Sequence, residues 1–289
     1  MKKLIEIKTI ALFSKPDSAA AWGALHEIVH WARRHGVTAL FDDMAWTGEG
    51  WSDSFCDKVK QTADVAIAIG GDGTLLGVAR ALFGWNGPLL GVNLGTLGFL
   101  TDVPANDIEA AMNRLLAGDF SLEDRILLET HIQGESERAL AFNDVVLSKG
   151  DSGQLLCFDV FVDEAPVYRL RADGLILCTP TGSTAYSLSA HGPILHPGLA
   201  AMALVPLCPH SLTARPITLP SSSKVEIIMQ GGVPGRLHCD GQSFGPLVSA
   251  ERRIIVSQAS VPTKMLHLNG YSVFNTLREK LGWSAARKD

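Results

Sequence analysis

The chain has 289 residues, 46% of them hydrophobic and 19% charged, which is enough for one large or two ordinary packed domains and too apolar for a disordered one. Thirty acidic against twenty-five basic side chains leave a formal charge of −5; this argues against a general affinity for nucleic acid or an anionic membrane, so any phosphate site must be built locally. Cys56, Cys157, Cys178, Cys208 and Cys239 are widely spaced with no Cys-x-x-Cys pair, the pattern of reduced thiols in a cytoplasmic protein. The N-terminal Met-Lys-Lys-Leu-Ile-Glu-Ile-Lys returns to charge before a secretory core can form, and residues 188–208, interrupted by His191, Pro193, His196, Pro197 and Pro206, are too broken to span a bilayer.

Ile5, Ile7, Ile10, Leu12 and Phe13 predict a first strand, after which Asp17 or Ser18 caps a helix with Trp22, Leu25, Ile28, Val29 and Ala32 on one face. Gly36 ends it, 37–41 form a second strand, and 42–52 are a polar loop bearing Trp46 and Trp51, either mobile and substrate-facing or an ordinary surface connection. The β-branched run 65–69 is a buried strand, while Leu75, Leu76, Val78, Ala79, Leu82 and Phe83 recur at helical spacing, so 70–74 is a crossing from strand end to helix start. A fourth strand at 88–93 leads into a second glycine-rich exit, Leu94-Gly95-Thr96-Leu97-Gly98-Phe99-Leu100, and in an open parallel sheet ligands bind beyond such carboxyl ends. A helix starting at Asn106 or Asp107 runs through Ile108, Ala111, Met112 and Leu115 to Gly118.

Residues 1–120 therefore read as a Rossmann-like open parallel sheet domain. Beyond Gly118 the period changes to two, at 125–132, 155–162, 167–170, 225–229 and 253–256, which predicts an all-β sandwich over 121–261. Helical spacing returns after Ser272 through Phe274, Leu277 and Leu281, so 262–289 are expected to pack back onto the first domain.

The crossing at 70–74 aims backbone N–H groups at an anion, and Gly70, Gly71 and Gly73 let a phosphate come close. Asp72 is out of place in a bare phosphate cradle. Its carboxylate repels the ligand unless a cation or a transferable proton accompanies it; otherwise Asp72 is a solvated helix N-cap. The string has neither the Gly-Lys-Ser/Thr ending of a P-loop nor the spacing of a dinucleotide fingerprint. A second cluster, Thr179-Pro180-Thr181-Gly182-Ser183-Thr184-Ala185-Tyr186-Ser187-Leu188-Ser189, offers hydroxyls to a base or amide and a ring to stack on it, or else satisfies its own backbone as a turn. Asn143 and Asp144 put an amide beside an acid at a strand start, where an Asx turn is the rival reading. No His/Cys spacing of the zinc kind is present, and no side chain is assigned as a metal ligand.

Gly70-Gly71-Asp72-Gly73-Thr74 resembles the loop shared by NAD kinases, diacylglycerol- and sphingosine-type lipid kinases and 6-phosphofructokinases. Residues 171–193 resemble the second signature of the NAD kinases, Ala141-Phe142-Asn143-Asp144-Val145-Val146 their Asn-Glu/Asp dyad, and 91–100, with Asn93, their second glycine-rich exit. The chain is thus similar to bacterial-type NAD kinases over most of 65–242, with the shorter Asp144 where many members carry Glu.

The resemblance implies transfer of the γ-phosphoryl group of ATP to the 2′-hydroxyl of the adenosine ribose of NAD. Asp72 would be the base, the triphosphate would lie against the N–H groups of Gly71, Gly73 and Thr74 beside Gly70, and a divalent ion, Mg²⁺, would bridge phosphate oxygens. It further implies that Asn143 and Asp144 hold the ribose and base of NAD, that Thr184, Ala185, Tyr186, Ser187, Leu188 and Ser189 surround its adenine or nicotinamide end, and that Asp173 accepts from an amide. Arg171 would neutralise a phosphate or discriminate the cofactor's charge, and Gln242 would add a further contact. NAD and ATP as small-molecule partners, no nucleic acid, no membrane, a homodimer or homotetramer and a cytoplasmic location complete the expectation. The alternatives are a diacylglycerol-type lipid kinase, which would show an apolar acceptor cleft or a basic membrane face, and a non-catalytic dinucleotide sensor, against which the presence of Asp72 speaks.

Overall fold

Strand β1 (Thr9–Ser14) buries Ile10 through Phe13 completely and leads to α1 (Ala19–His35), where the Ser18 hydroxyl accepts from the Ala21 N–H and Gly36, at φ 69°, closes the helix. The computed structural model describes residues 6–15, 18–42, 44–48, 50–95, 98–150 and 153–283; Ile5, Asp17, Thr96 and Leu97 lie outside them. Helix α1 buries Leu25, Ile28, Val29 and Ala32 as its spacing requires, together with Trp31, whose indole N–H donates to Asn113 at 2.8 Å. Each buried Leu, Ile or Val side chain among these is worth about 1.5–3 kcal/mol.

After β2 (Thr38–Leu40) the tryptophan loop is docked: Trp46 and Trp51 form an antiparallel bridge, and Trp51 is buried edge-on against Phe13 with centroids 5.1 Å apart. The segment is therefore an anchored connection. It leads into a helix that sequence reading did not anticipate, α2 (Asp53–Thr62), which buries only Phe55, Cys56 and Val59. Strand β3 (Val65–Gly70), α3 (Asp72–Ala81), β4 (Pro88–Asn93), the short β5 (Val103–Pro104), α4 (Ile108–Leu116) and β6 (Phe120–Arg125) follow.

The period-two stretch expected at 125–132 splits, because β6, which ends at Arg125, belongs to the first sheet and the first strand of the second unit is β7 (Leu128–Ile132). Eleven further strands complete that unit: β8 (Arg138–Ala141), β9 (Asp144–Ser148), β10 (Leu156–Val162), β11 (Ala165–Ala172), β12 (Gly174–Cys178), β13 (Ala201–Leu207), β14 (Ile217–Pro220), β15 (Val225–Gln230), β16 (Gly235–Cys239), β17 (Gln242–Val248) and β18 (Arg253–Gln258), with the one-turn helix α5 (Tyr186–Ser189) after β12. They form two antiparallel sheets, ordered β11-β10-β15-β18-β7-β8 and β14-β13-β12-β9-β16-β17. Phe158, Val160, Ile227 and Val256 of one sheet share a dry core with Val145, Leu147, Leu175 and Leu177 of the other, the arrangement of a β-sandwich. On β9 the intervening Val146 joins a separate cluster with Ile176, Cys178 and Leu195, so both faces of this strand are covered.

The chain then returns. Strand β19 (Thr263–Leu268) pairs in parallel with β4, and α6 (Val273–Leu281) follows it, so the first sheet reads β2-β1-β3-β4-β19-β6 with β5 beside β4. The chain divides into two units, 1–124 with 263–289, and 125–262. The first is α/β around a largely parallel sheet, and the second is all-antiparallel β.

Candidate active site

In the α/β unit the parallel register of β3 with β4 places Gly70 opposite Asn93, so both glycine-rich exits leave the same end of the sheet. Helix α3 has Gly71 as its N-cap residue and Asp72 as its first residue, and the Asp72 carboxylate makes no capping bond. It reaches the other exit instead. Its Oδ2 accepts the Phe99 N–H at 2.8 Å, while Oδ1 accepts the N–H groups of Leu100 at 3.1 Å and Thr101 at 3.2 Å and the Thr101 hydroxyl at 3.0 Å.

The close approach needs glycine at 98, where a Cβ would stand 2.0 Å from Asp72 Oδ1. Asn93 is buried and accepts from the Gly95 N–H at 2.9 Å, which shapes the start of the second exit. Thr74, expected as a phosphate donor, gives its N–H to the Gly71 carbonyl at 2.9 Å. Among the described residues nothing lies within 4 Å of a Cβ built at Gly71 or Gly73, which suits the helix start to an approaching anion.

In the sandwich unit the counterpart is Asp240, in the turn between β16 and β17, which sequence reading had not singled out. Its carboxylate accepts the consecutive N–H groups of Phe142, Asn143 and Asp144 at 3.0, 2.7 and 3.2 Å. The Thr179 hydroxyl ties the same loop by donating to the Phe142 carbonyl at 2.7 Å, and it accepts from the Gly182 N–H at 3.0 Å. Gly182 then lies so close to the Asn143 carbonyl that a Cβ would stand 2.0 Å from its oxygen. Asn143, Asp144, Ala185, Tyr186, His238 and Asp240 line a cavity of about 440 Å³. Burial, and secondarily the charge of Asp240, pushes the Asp144 carboxyl up to about 7. Burial beside Arg236 lowers His238.

Much of the hydroxyl-rich segment serves its own turn, as the turn reading of that cluster had it. Ser183 donates to the Pro180 carbonyl at 2.6 Å and accepts from the Leu195 N–H at 2.9 Å, and Thr184 donates to the Thr181 carbonyl at 3.1 Å. Tyr186, half exposed on the cavity wall, and Ala185 face the open space. Ser187 is buried, Leu188 half-buried and Ser189 exposed. Arg171 is exposed on β11, Asp173 is ion-paired with Lys149 at 2.6 Å, and Gln242 is exposed at the start of β17; none of the three lines the cavity. His238 and Asp240 lie about a hundred residues from Asn143 in sequence, and the only local sign of them was the Asp240-Gly241 turn.

The α/β unit thus carries an acid-bearing glycine exit, and the β-sandwich holds an acidic, ring-walled cavity of its own. The description "ATP-NAD kinase N-terminal domain" matches residues 10–120, and "ATP-NAD kinase C-terminal domain" matches residues 142–268. NAD kinase of Laribacter hongkongensis is 48% identical over 282 residues, covering 96% of this chain and 97% of that protein. NAD kinase of Aromatoleum aromaticum is 41% identical over 285 residues, covering 96% and 95%. The crystal structure of yeast NADH kinase complexed with NADH superposes with a TM-score of 0.84 at 25% identity, covering 98% of this chain and 90% of that one. The chain belongs to the ATP-NAD kinase family.

Proposed function

We infer that this protein transfers the γ-phosphoryl group of ATP to the 2′-hydroxyl of the adenosine ribose of NAD, giving NADP. The observation that carries the reading is the unequal use of the two Asp72 oxygens. Oδ1 accepts three hydrogen bonds and is saturated, whereas Oδ2 accepts one, from Phe99, and keeps acceptor capacity for a further donor. A sugar hydroxyl is a poor nucleophile at neutral pH, so a carboxylate oxygen within about 2.6–3.2 Å that takes its proton as phosphorus is attacked lowers the barrier. Oδ2 is assigned that role. The N–H groups of Gly71 and Gly73, at the open start of α3, suit the donor's phosphate oxygens.

Among the described residues no cluster of three metal-ligating side chains occurs. Mg²⁺ would be held mainly by substrate phosphates with one carboxylate, such as Asp72, nearby; when bound, the ion would neutralise charge on the transferring group. Asn143, Asp144, Ala185 and Tyr186, which line the sandwich cavity, are assigned to the ribose and base of NAD. A cytoplasmic location and a homodimer or homotetramer belong to the same reading through family resemblance.

Among the described residues no helix is long and apolar enough to cross a membrane. The formal charge of −5 argues against the basic membrane face that the lipid-kinase alternative would use. Incubation with ATP, Mg²⁺ and either NAD or NADH, followed by a coupled assay for NADP or NADPH, tests the reaction and its acceptor together. Binding of dinucleotide without turnover would favour the sensor.

A further inference from the structure

We propose that His267 is a positioning residue for Asp72, acting through Asp102 and the backbone of residues 99–101; the proposal rests on the reading of Asp72 as the base. His267 lies on β19 and is 2% exposed. Its Nδ1 is 3.0 Å from Asp102 Oδ2, a pairing in which the ring N–H donates to the carboxylate oxygen. Nε2 of the same ring is 3.5 Å from Glu123 Oε2 on β6, and its face is stacked on Tyr271 with centroids 3.9 Å apart and planes 6° from parallel. The imidazole is therefore fixed on three sides.

Asp102 directly follows Thr101, which gives both its N–H and its hydroxyl to Asp72. Immediately after Asp102, Val103 and Pro104 pair with β4. Residues 99–102 are thus a four-residue bracket, with Asp72 bonded at one end and His267 at the other. Three successive N–H groups converge on one carboxylate only if the peptide planes between them are held, since each bond weakens steeply with misalignment. The Asp102 side chain is 16% exposed, its Oδ1 is buried without a hydrogen-bond partner among the described residues, and His267 supplies the bond to Oδ2. Removing that donor leaves a buried carboxylate seeking water, and its displacement pulls on Thr101. The base would then lose its aim while the open phosphate and dinucleotide contacts stay as they are.

The test compares His267→Leu, which removes the donor, with His267→Asn, which keeps an N–H near the Nδ1 position. In His267→Leu we expect kcat to fall by about tenfold to a hundredfold, the range for a reacting group displaced by up to about 1 Å, with KM for ATP and NAD within about twofold. His267→Asn should recover most of the loss. In the Asp72→Asn background His267→Leu should change kcat by less than about twofold, because residues acting as one unit are not additive. Hydrogen exchange at the Phe99, Leu100 and Thr101 amides should quicken in His267→Leu and not in His267→Asn, a measurement that needs no turnover. If His267→Leu does not fold, Asp102→Ala cuts the same link with one fewer buried charge and is read in the same way. Unchanged amide exchange, an unchanged kcat, or a fall of equal size in both backgrounds would overturn the proposal. If the parent forms no NADP, the kinase reading fails on its own, and amide exchange alone decides whether His267 holds the bracket.

Discussion

Each unit gathers consecutive backbone N–H groups of a loop onto one carboxylate, and the two differ in what stands beside it. In the α/β unit Asp72 receives Phe99, Leu100 and Thr101 with no second acid in its hydrogen-bond shell. In the sandwich Asp240 receives Phe142, Asn143 and Asp144, and the last of these brings a buried carboxyl of its own, held neutral up to about pH 7. The same local device yields an aimed acceptor in one place and, in the other, an acceptor with a proton-holding acid beside it, because burial beside an existing charge disfavours a second one.

The largest expected effect comes from breaking the first arrangement. Asp72→Asn removes the proton acceptor, and loss of a general base typically costs about 10²–10⁴ in rate, so kcat should fall by that much with NAD affinity nearly unchanged. An amide has a single oxygen, so its NH₂ would face the Phe99 N–H; leaving that donor unmet should cost about 1–3 kcal/mol and lower the melting temperature. A variant that turns over within about tenfold of the parent would exclude Asp72 as the base.

Next in size is a contrast of glycines between the units. Gly182→Ala must push a Cβ against the Asn143 carbonyl, and overpacking of this kind costs about 1–3 kcal/mol or more, so both thermal stability and NAD affinity should drop. Gly73→Ala meets open space, so its melting temperature should stay close to the parent's while KM for ATP rises. Equal destabilisation of the two variants would contradict the open helix start.

A third test uses pH. Asp144 rises from 3.8 to about 7 on folding, so its contribution to stability is complete below about pH 4 and is lost as pH climbs through 7. At about 1.4 kcal/mol per unit the loss is up to about 4 kcal/mol. Asp144→Asn should flatten the fall in unfolding free energy between pH 4 and about 7, as measured by urea titration. The ionised form is the better acceptor for ribose hydroxyls, so parental NAD affinity should rise across neutral pH and the variant's should not. The smallest effect belongs to Tyr186→Ala, where loss of a stacking ring is worth about 0.5–1.5 kcal/mol, a severalfold rise in KM for NAD with that for ATP unmoved. Because the ring is half exposed, melting should hardly change.

Sequence made the strand-to-helix crossing legible because the period changes within five residues, from the β-branched run 65–69 to the helical repeat after Thr74. The alternating strands β7, β10, β11, β15 and β18 of the sandwich were legible for the same reason, whereas β8, β13, β14, β16 and β17 were not anticipated. Helix α2 was not: Asp53–Thr62 buries only three side chains, too few to establish a period. Strand β19 was hidden because its partners, β4 and β6, both lie on the far side of the whole sandwich in sequence and nothing local reports them. The site was legible as motifs rather than as contacts. Gly98 and Gly182 were visible as glycines, but that one makes room for Asp72 and the other for the Asn143 carbonyl depends on distant backbone. Asp240 and His238 were missed on the same ground.

The placement of β19 has a consequence for the order in which the protein can be assembled. A chain emerging from the ribosome exposes β4 long before residues 263–268 exist, so until the whole sandwich has been synthesised the Pro88–Leu89 end of that strand presents unpaired N–H and C=O groups. Nascent or truncated chains ending before Thr263 would carry this open, apolar edge as a template for pairing with other chains. Strand β19 thus acts as a seal: the sheet that bears the crossing at 70–74 closes only after the sandwich has been made.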